Sequence, residues 1–175
     1  RVDGADARVG ELEATQFSTT TQLKGTTHWV LGAAKYHGKG STYEETRFGG
    51  TSFSYDLRLA LETSFTGKDS LTTRLRAGNM DNIYSGGGVG LFGQGYGVNT
   101  DGNVVIDRLF YRFPVGDEFT IVAGPVVRQD NMLPVWPSAY PSDMTMDFFT
   151  YAGAPGADNL ALGAGAGVWW QSDGG

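Results

Sequence analysis

One long alternating segment constrains the fold of this chain more than any other feature. Across residues 51–65, rings and leucines occupy alternate positions, with polar or small side chains between most of them. Such alternation puts one face of a β-strand against apolar surroundings and the other against a polar medium. From Phe53 to Phe65 the strand covers twelve steps, whereas soluble strands have a mode of about 5–6 residues. At ~3.3 Å per residue and a tilt near 45°, it rises roughly 25–30 Å, the height of the lipid-facing band of an outer-membrane barrel.

Other segments repeat this alternation. The clearest are residues 17–33, 70–77, 106–113 and 119–128. Gly25 predicts a kink or bulge within the first of them, and Val127 is expected on the same apolar face as Ile121. Weaker alternation marks residues 146–152 and 160–171. The sequence therefore predicts seven strands.

The connections between these strands alternate in length. Residues 66–69 and 114–117 form tight turns rich in Gly, Asp and Pro. Residues 37–50, 79–102 and 130–145 form long Gly- or Pro-rich loops. Loops this long count against a compact soluble domain, whereas short turns on one side and long loops on the other are typical of outer-membrane barrels.

The predicted fold is all-β: a transmembrane, antiparallel β-barrel of the outer membrane, present here as about seven strands of a larger barrel. Bacterial single-chain barrels have an even number of strands, so seven predict that the chain stops at the beginning of a fourth long loop. Residues 1–16 place small or apolar side chains at heptad spacing. They predict the helical tail of a coiled-coil linker, or else a frayed terminus, before a barrel portion at 17–175.

Composition narrows the functional classes. A net charge of −6 argues against nucleic acid as a partner. The absence of cysteine excludes disulfides, thiolate zinc sites and thiol nucleophiles. The two histidines, His28 and His37, have no carboxylate at ligand spacing. We therefore expect no metal, no cofactor and no catalytic site.

Arginine dominates the polar face of the predicted strands. Six of the nine arginines lie there: Arg58, Arg74, Arg76, Arg108, Arg112 and Arg128. Asp56 and Glu62 share this face, so some of the charges are expected to pair across strands. In a barrel these residues would line the pore, where guanidinium groups hydrogen-bond sugar hydroxyls, carboxylates or phosphates. The pattern predicts either a bias toward anionic or hydroxyl-rich solutes, or simply the polar wall of a water-filled channel.

The third long loop differs from the others in being stiff and aromatic. Its distinctive residues are Pro134, Trp136, Pro137, Tyr140 and Pro141. The third external loop of porins generally folds inward, so this loop is a candidate constriction. A rigid external loop that covers a subunit contact is the alternative.

Four segments of this chain resemble a known family. They are QFSTTTQLKG at 16–25, RLFYR at 108–112, DFFTYAGAPG at 147–156 and LGAGAG at 162–167. The chain resembles the cyanobacterial outer-membrane porins that carry an S-layer-homology domain, relatives of carbohydrate-selective porins that are often labelled iron-uptake porins. The resemblance implies passive diffusion of inorganic ions, sugars or iron species through homotrimers in outer-membrane lipid. It also implies an upstream domain that binds peptidoglycan.

The sequence leaves three alternatives to this interpretation. A soluble β-sandwich or jelly roll would bind glycans through Trp136, Tyr140, Trp169 and Trp170. A complete eight-stranded barrel requires two strands within residues 17–36. A membrane-barrel enzyme is disfavoured because histidines and carboxylates do not gather on any one strand or loop.

Overall fold

The architecture is a single large antiparallel sheet with long connections at one end. The structure, a computed structural model, describes residues 20–35, 37–38, 50–81, 93–94, 98–136, 146–147 and 161–172. In chain order its strands are β1 (Thr21–Ala34), β2 (Gly50–Thr63), β3 (Ser70–Gly78), β4 (Gly93–Gln94), β5 (Val105–Val115), β6 (Phe119–Arg128), β7 (Met146–Asp147) and β8 (Leu162–Trp170). The large sheet has the order β1-β2-β3-β5-β6-β8, while β4 and β7 pair separately. A 3₁₀ turn, Gln129–Met132, follows β6.

The two ends of the large sheet differ as the sequence predicts. Short connections join β2 to β3 and β5 to β6, and both lie at one end of the sheet. The connections from β1 to β2, β3 to β5 and β6 to β8 are long and leave from the opposite end. This arrangement confirms the predicted all-β, antiparallel topology. In the part of the chain that the structure describes, no helix is long and apolar enough to cross a membrane.

The described part of the expected strand at 146–152 takes no place in the large sheet. Its described part, Met146–Asp147, pairs with Gly93–Gln94, and β6 pairs directly with β8. The large sheet therefore contains six described strands where the sequence predicted seven. The predicted end of the last strand, at the beginning of a fourth long loop, is wrong. Trp170 pairs with Phe119, so β8 ends beside the short connection between β5 and β6. Alternation alone could not reveal this, because pairing between strands is a non-local property.

The first strand is a single strand, as expected, and it has no bulge at Gly25. β1 pairs with β2 residue by residue, from Thr21 opposite Thr63 to Ala34 opposite Gly50, without a shift at Gly25. One unbroken strand over 21–34 also excludes the eight-stranded alternative, which needs two strands within 17–36. The predicted coiled-coil segment 1–16 lies outside the described residues.

One face of the large sheet is apolar and uncovered. Trp29 and Leu31 are each 73% exposed and Phe53 is 68% exposed. Among the residues that the structure describes, no second layer covers this face, as a β-sandwich would require. Because a large apolar patch is not left facing water in a monomeric soluble protein, these side chains belong against lipid.

Rings border this apolar face at both ends. Near the long connections, Trp29 and Phe53 meet edge to face with centroids 6.4 Å apart. Near the short connections, Tyr111 stacks on Phe113 at 5.2 Å and meets Phe65 edge to face at 6.3 Å. Two aromatic borders separated by leucines are the pattern of outer-membrane barrels.

A small apolar cluster lies on the opposite face. Val122 and Val127 are almost fully buried there with Phe110, and Met132 and Trp169 pack against them. The expectation that Val127 shares the face of Ile121 is wrong. The pairing of β6 with β8 shifts between Gly124 and Val127, and a β-bulge reverses the alternation beyond it.

Candidate functional site

The face opposite the leucines and rings, called the polar face below, brings arginines of three adjacent strands together. Arg58 of β2 lies opposite Arg76 of β3, and Arg74 of β3 lies opposite Arg108 of β5. Like charges directly opposite each other are destabilising. The polar face therefore needs carboxylates between these pairs, and two aspartates supply them.

Asp56 is the first of these aspartates and is fully buried. One carboxylate oxygen accepts hydrogen bonds from Arg58 Nε at 3.0 Å and Arg58 Nη2 at 2.8 Å. Arg76 donates from Nε at 2.8 Å and from Nη2 at 2.7 Å. The predicted pairing of Asp56 across strands is thus present, and it holds two arginines at once.

Asp107 is the second of these aspartates, and it was not among the residues predicted to line the pore. The pairing of β3 with β5 shifts between Arg74 and Leu75, which leaves Asp107 as an extra residue. Asp107 and Arg108 are consequently both buried on the polar face although they are adjacent in sequence. Arg74 Nε donates to Asp107 at 2.6 Å, Arg108 Nη1 lies 3.1 Å from its carboxylate, and Arg76 Nη1 lies 3.6 Å away.

The 3₁₀ turn after β6 lies on this face. Arg108 Nε donates to Asn131 Oδ1 at 2.8 Å, and Arg112 Nη2 donates to the Asn131 carbonyl at 3.4 Å. The Arg112 guanidinium also sits 5.5 Å from the ring centroid of Trp169. The turn is therefore attached to the sheet through two arginines.

A groove in β8 accommodates the same turn. A Cβ on Gly165 would lie 2.8 Å from Met132 Sδ, and one on Gly167 would lie 2.7 Å from the Met132 carbonyl. Met132 can approach the sheet this closely because both positions lack a side chain.

The other predicted site residues are Arg128, Glu62 and the members of the proposed constriction loop. Arg128 ends β6 beyond the bulge, where the alternation that predicted it on the polar face is reversed. Its Nε and Nη2 each donate to Asp130 at 2.5 Å. Glu62 forms an ion pair with Lys24 across to β1. Of the loop predicted to constrict the pore, Pro134 is exposed and Trp136 half-buried. The remaining members, Pro137, Tyr140 and Pro141, lie outside the described residues.

The charge on this surface has the opposite sign to that of the chain. The charged side chains described on the polar face are Lys24, Arg58, Arg74, Arg76, Arg108, Arg112, Asp56, Glu62 and Asp107. Six positive groups against three negative ones leave an excess of three positive charges, whereas the whole chain carries −6. Positive charge is thus concentrated on one face.

A cleft opens among these groups. It has a volume of about 350 Å³ and is lined by Arg74, Arg108, Arg112, Asn131 and hydroxyl groups of β3. Within the described residues no three side chains are grouped so as to hold a metal ion. The surface is built to present guanidinium and hydroxyl groups to a polar solute.

Comparison with known proteins agrees with this geometry. The sequence model of the carbohydrate-selective porin family, OprB, matches residues 1–170. The chain belongs to the OprB family. Porins of this family lie in the outer membrane, and the family is one of channels and not of enzymes. The resemblance seen in the sequence is confirmed, and so is the outer-membrane location.

Two cyanobacterial relatives match most of the chain. An uncharacterized protein of Nostoc sp. strain PCC 7120 is 42% identical over 125 residues, covering 66% of this chain and 21% of its own length. An uncharacterized protein of Synechocystis sp. strain PCC 6803 is 38% identical over 126 residues, covering 72% of this chain and 22% of its own length. The chain thus spans about a fifth of each relative. No solved structure matches this chain.

Proposed function

We propose that this chain supplies part of the barrel wall of a passive outer-membrane channel for small hydrophilic solutes. One observation carries the proposal. The same strands expose leucines and rings on one face, uncovered, and hold buried and half-buried arginines on the other. A sheet with these two faces fits a wall between lipid and a water-filled lumen.

The arginine-rich face would act on solutes mainly through its field. An excess of three positive charges on the low-dielectric wall of a water-filled channel raises the local concentration of anions. Guanidinium groups also donate in-plane hydrogen bonds to sugar hydroxyls. We therefore infer a channel for inorganic ions, and also for sugars or iron species, that prefers anions over cations.

The loop after β6 is the proposed constriction. Its first residues lie on the polar face, where Asn131 bonds to Arg108 and Met132 occupies the glycine groove of β8. Chain that continues from this attachment starts inside the lumen, close to the wall. The proline- and aromatic-rich residues that follow, from Pro134 to Pro141, would narrow the bore.

The partners of the whole protein are proposed from its family resemblance. We infer a homotrimer in outer-membrane lipid, with a coiled-coil tail at residues 1–16 ahead of the barrel portion at 17–175. Contact with peptidoglycan would come through a domain upstream of this chain. The positive charge of the polar face would lie inside the lumen, so it gives no reason to expect nucleic acid as a partner.

The test is ion selectivity of the full-length protein in planar bilayers. Under a salt gradient, reversal potentials should show anion preference, and Arg112→Gln should reduce it, because this exposed arginine has no carboxylate partner among the described residues. Lys68→Gln is the matched control, because it removes one positive charge from an exposed site in the short β2–β3 connection. A channel that prefers cations would contradict the proposal, as would equal effects of the two variants.

A further inference from the structure

The arginines of the polar face are not equivalent in what they can still bind. Arg58 and Arg76 direct both Nε and Nη2 at Asp56. Their remaining hydrogen-bonding capacity is small, and their charge is largely balanced. These two arginines therefore serve mainly to hold the wall together.

Three other arginines surround the 350 Å³ cleft. Arg74 is bound to Asp107 through both Nε and Nη2, and Arg108 shares the same carboxylate through Nη1. Arg112 is exposed and has no carboxylate partner among the described residues; its contacts there are the Asn131 carbonyl and the Trp169 ring. Asp107 therefore balances only part of the charge of the three guanidinium groups around this cleft.

The neighbouring groups do not neutralise this excess. Glu62 lines the cleft, but its carboxylate is held by Lys24. Ser70 and Thr72 of β3 add hydroxyl groups to the cleft wall. Asn131 fixes the orientation of Arg108 by accepting from its Nε at 2.8 Å. The cleft is thus a pre-oriented set of donors with unbalanced positive charge.

We propose that this cleft binds the phosphate group of a permeating solute, an inference that rests on the proposed channel function. Guanidinium groups match the geometry and charge of phosphate oxygens and bind them through paired hydrogen bonds. A neutral sugar would leave the excess charge uncompensated. The phosphate group belongs either to inorganic phosphate or to a sugar phosphate, and both present the same oxygens to Arg108 and Arg112.

The experiment measures block of chloride current through the full-length protein in planar bilayers. Inorganic phosphate, glucose 6-phosphate and glucose are titrated separately at constant potassium chloride. Saturable block by a phosphate compound but not by glucose supports the site. Block by only one of the two phosphate compounds supports it too and identifies the source of the group. Chloride conductance that no phosphate compound blocks overturns the site and leaves the channel proposal intact.

Variants connect the block to the cleft. Arg112→Gln should raise the half-blocking phosphate concentration about tenfold, because it removes one charge-assisted contact. Lys68→Gln removes a positive charge outside the cleft and should change that concentration less than about twofold. Equal shifts in the two variants would mean a general field effect and would overturn the site. A protein that forms no channel, or a cation-selective one, would overturn the proposed function and this inference with it.

Discussion

The hydroxyl of Tyr111 donates a 2.5 Å hydrogen bond to Asp69. This bond joins an outward ring of β5 to the short connection between β2 and β3. The other carboxylate oxygen of Asp69 accepts from the backbone N–H of Phe65 at 3.0 Å and of Thr66 at 2.7 Å. The aromatic border at this end of the sheet is therefore tied to the turn that it borders.

This relationship predicts a dependence of stability on pH. The hydrogen bonds from the Tyr111 hydroxyl and then from Thr66 hold the pKa of Asp69 well below its usual range. Because the folded-state pKa is lowered, the stabilisation is complete above the ordinary carboxyl pKa of about 4 and is lost as the pH falls below it. Between pH 7 and pH 3, the thermal midpoint of the native protein should fall further than that of Asp69→Asn. Parallel falls in the two proteins would contradict this role of Asp69.

The glycine groove of β8 predicts that alanine changes conductance at Gly167 but not at Gly163. At Gly167 a Cβ would meet the Met132 backbone at 2.7 Å, so the 3₁₀ turn must move away from the wall. Overpacking of this kind costs about 1–3 kcal/mol. Gly167→Ala should therefore lower single-channel conductance, because the turn is pushed toward the lumen. Gly163→Ala is the control on the same strand, since its Cβ meets nothing within 4 Å. Unchanged conductance in Gly167→Ala would contradict the attachment of the turn to the wall.

Asp56 should contribute more to stability than Glu62, although both pair with cations on the polar face. Asp56→Asn leaves Arg58 and Arg76 without their shared buried charge and should cost on the order of 2–3 kcal/mol. Glu62→Gln breaks the Lys24 ion pair, whose side chains are 36% and 59% exposed, and should cost less than about 1 kcal/mol. Denaturant unfolding of the full-length protein from lipid vesicles measures both. Equal losses would show that burial of the Asp56 pair does not matter.

Adjacent residues in the middle of β2 test which face meets lipid. Leu59 lies on the apolar face, whereas Ala60 lies on the polar face with Lys24 and Arg74 as cross-strand neighbours. Leu59→Asp should cost about 2 kcal/mol because it places a carboxylate near the middle of the lipid-facing band. Ala60→Asp should cost less, because it adds a negative charge between two cations. The same vesicle unfolding assay compares the two variants. A larger loss of stability in Ala60→Asp than in Leu59→Asp would contradict the assignment of the leucine face to lipid.

Much of the surface that meets lipid was predictable from the sequence. A strand alternates its side chains by covalent geometry alone. Phe53 and Leu59 therefore share one face, and Arg58 and Glu62 the other, wherever β2 forms without a bulge, as it does here. The position of the short connections was likewise readable, because turns need residues such as the Gly and Asp of 66–69.

The composition of the arginine cleft depended on the tertiary structure. Register shifts at Asp107 and between Gly124 and Val127 reverse the alternation, and they arise from pairing between strands that are distant in sequence. Pairing also decided that β8, not residues 146–152, adjoins β6. The sequence by itself thus determined the two faces of the wall, because alternation is a local property. The tertiary structure decided which arginines lie around the cleft, because this depends on hydrogen bonding between strands that are distant in sequence.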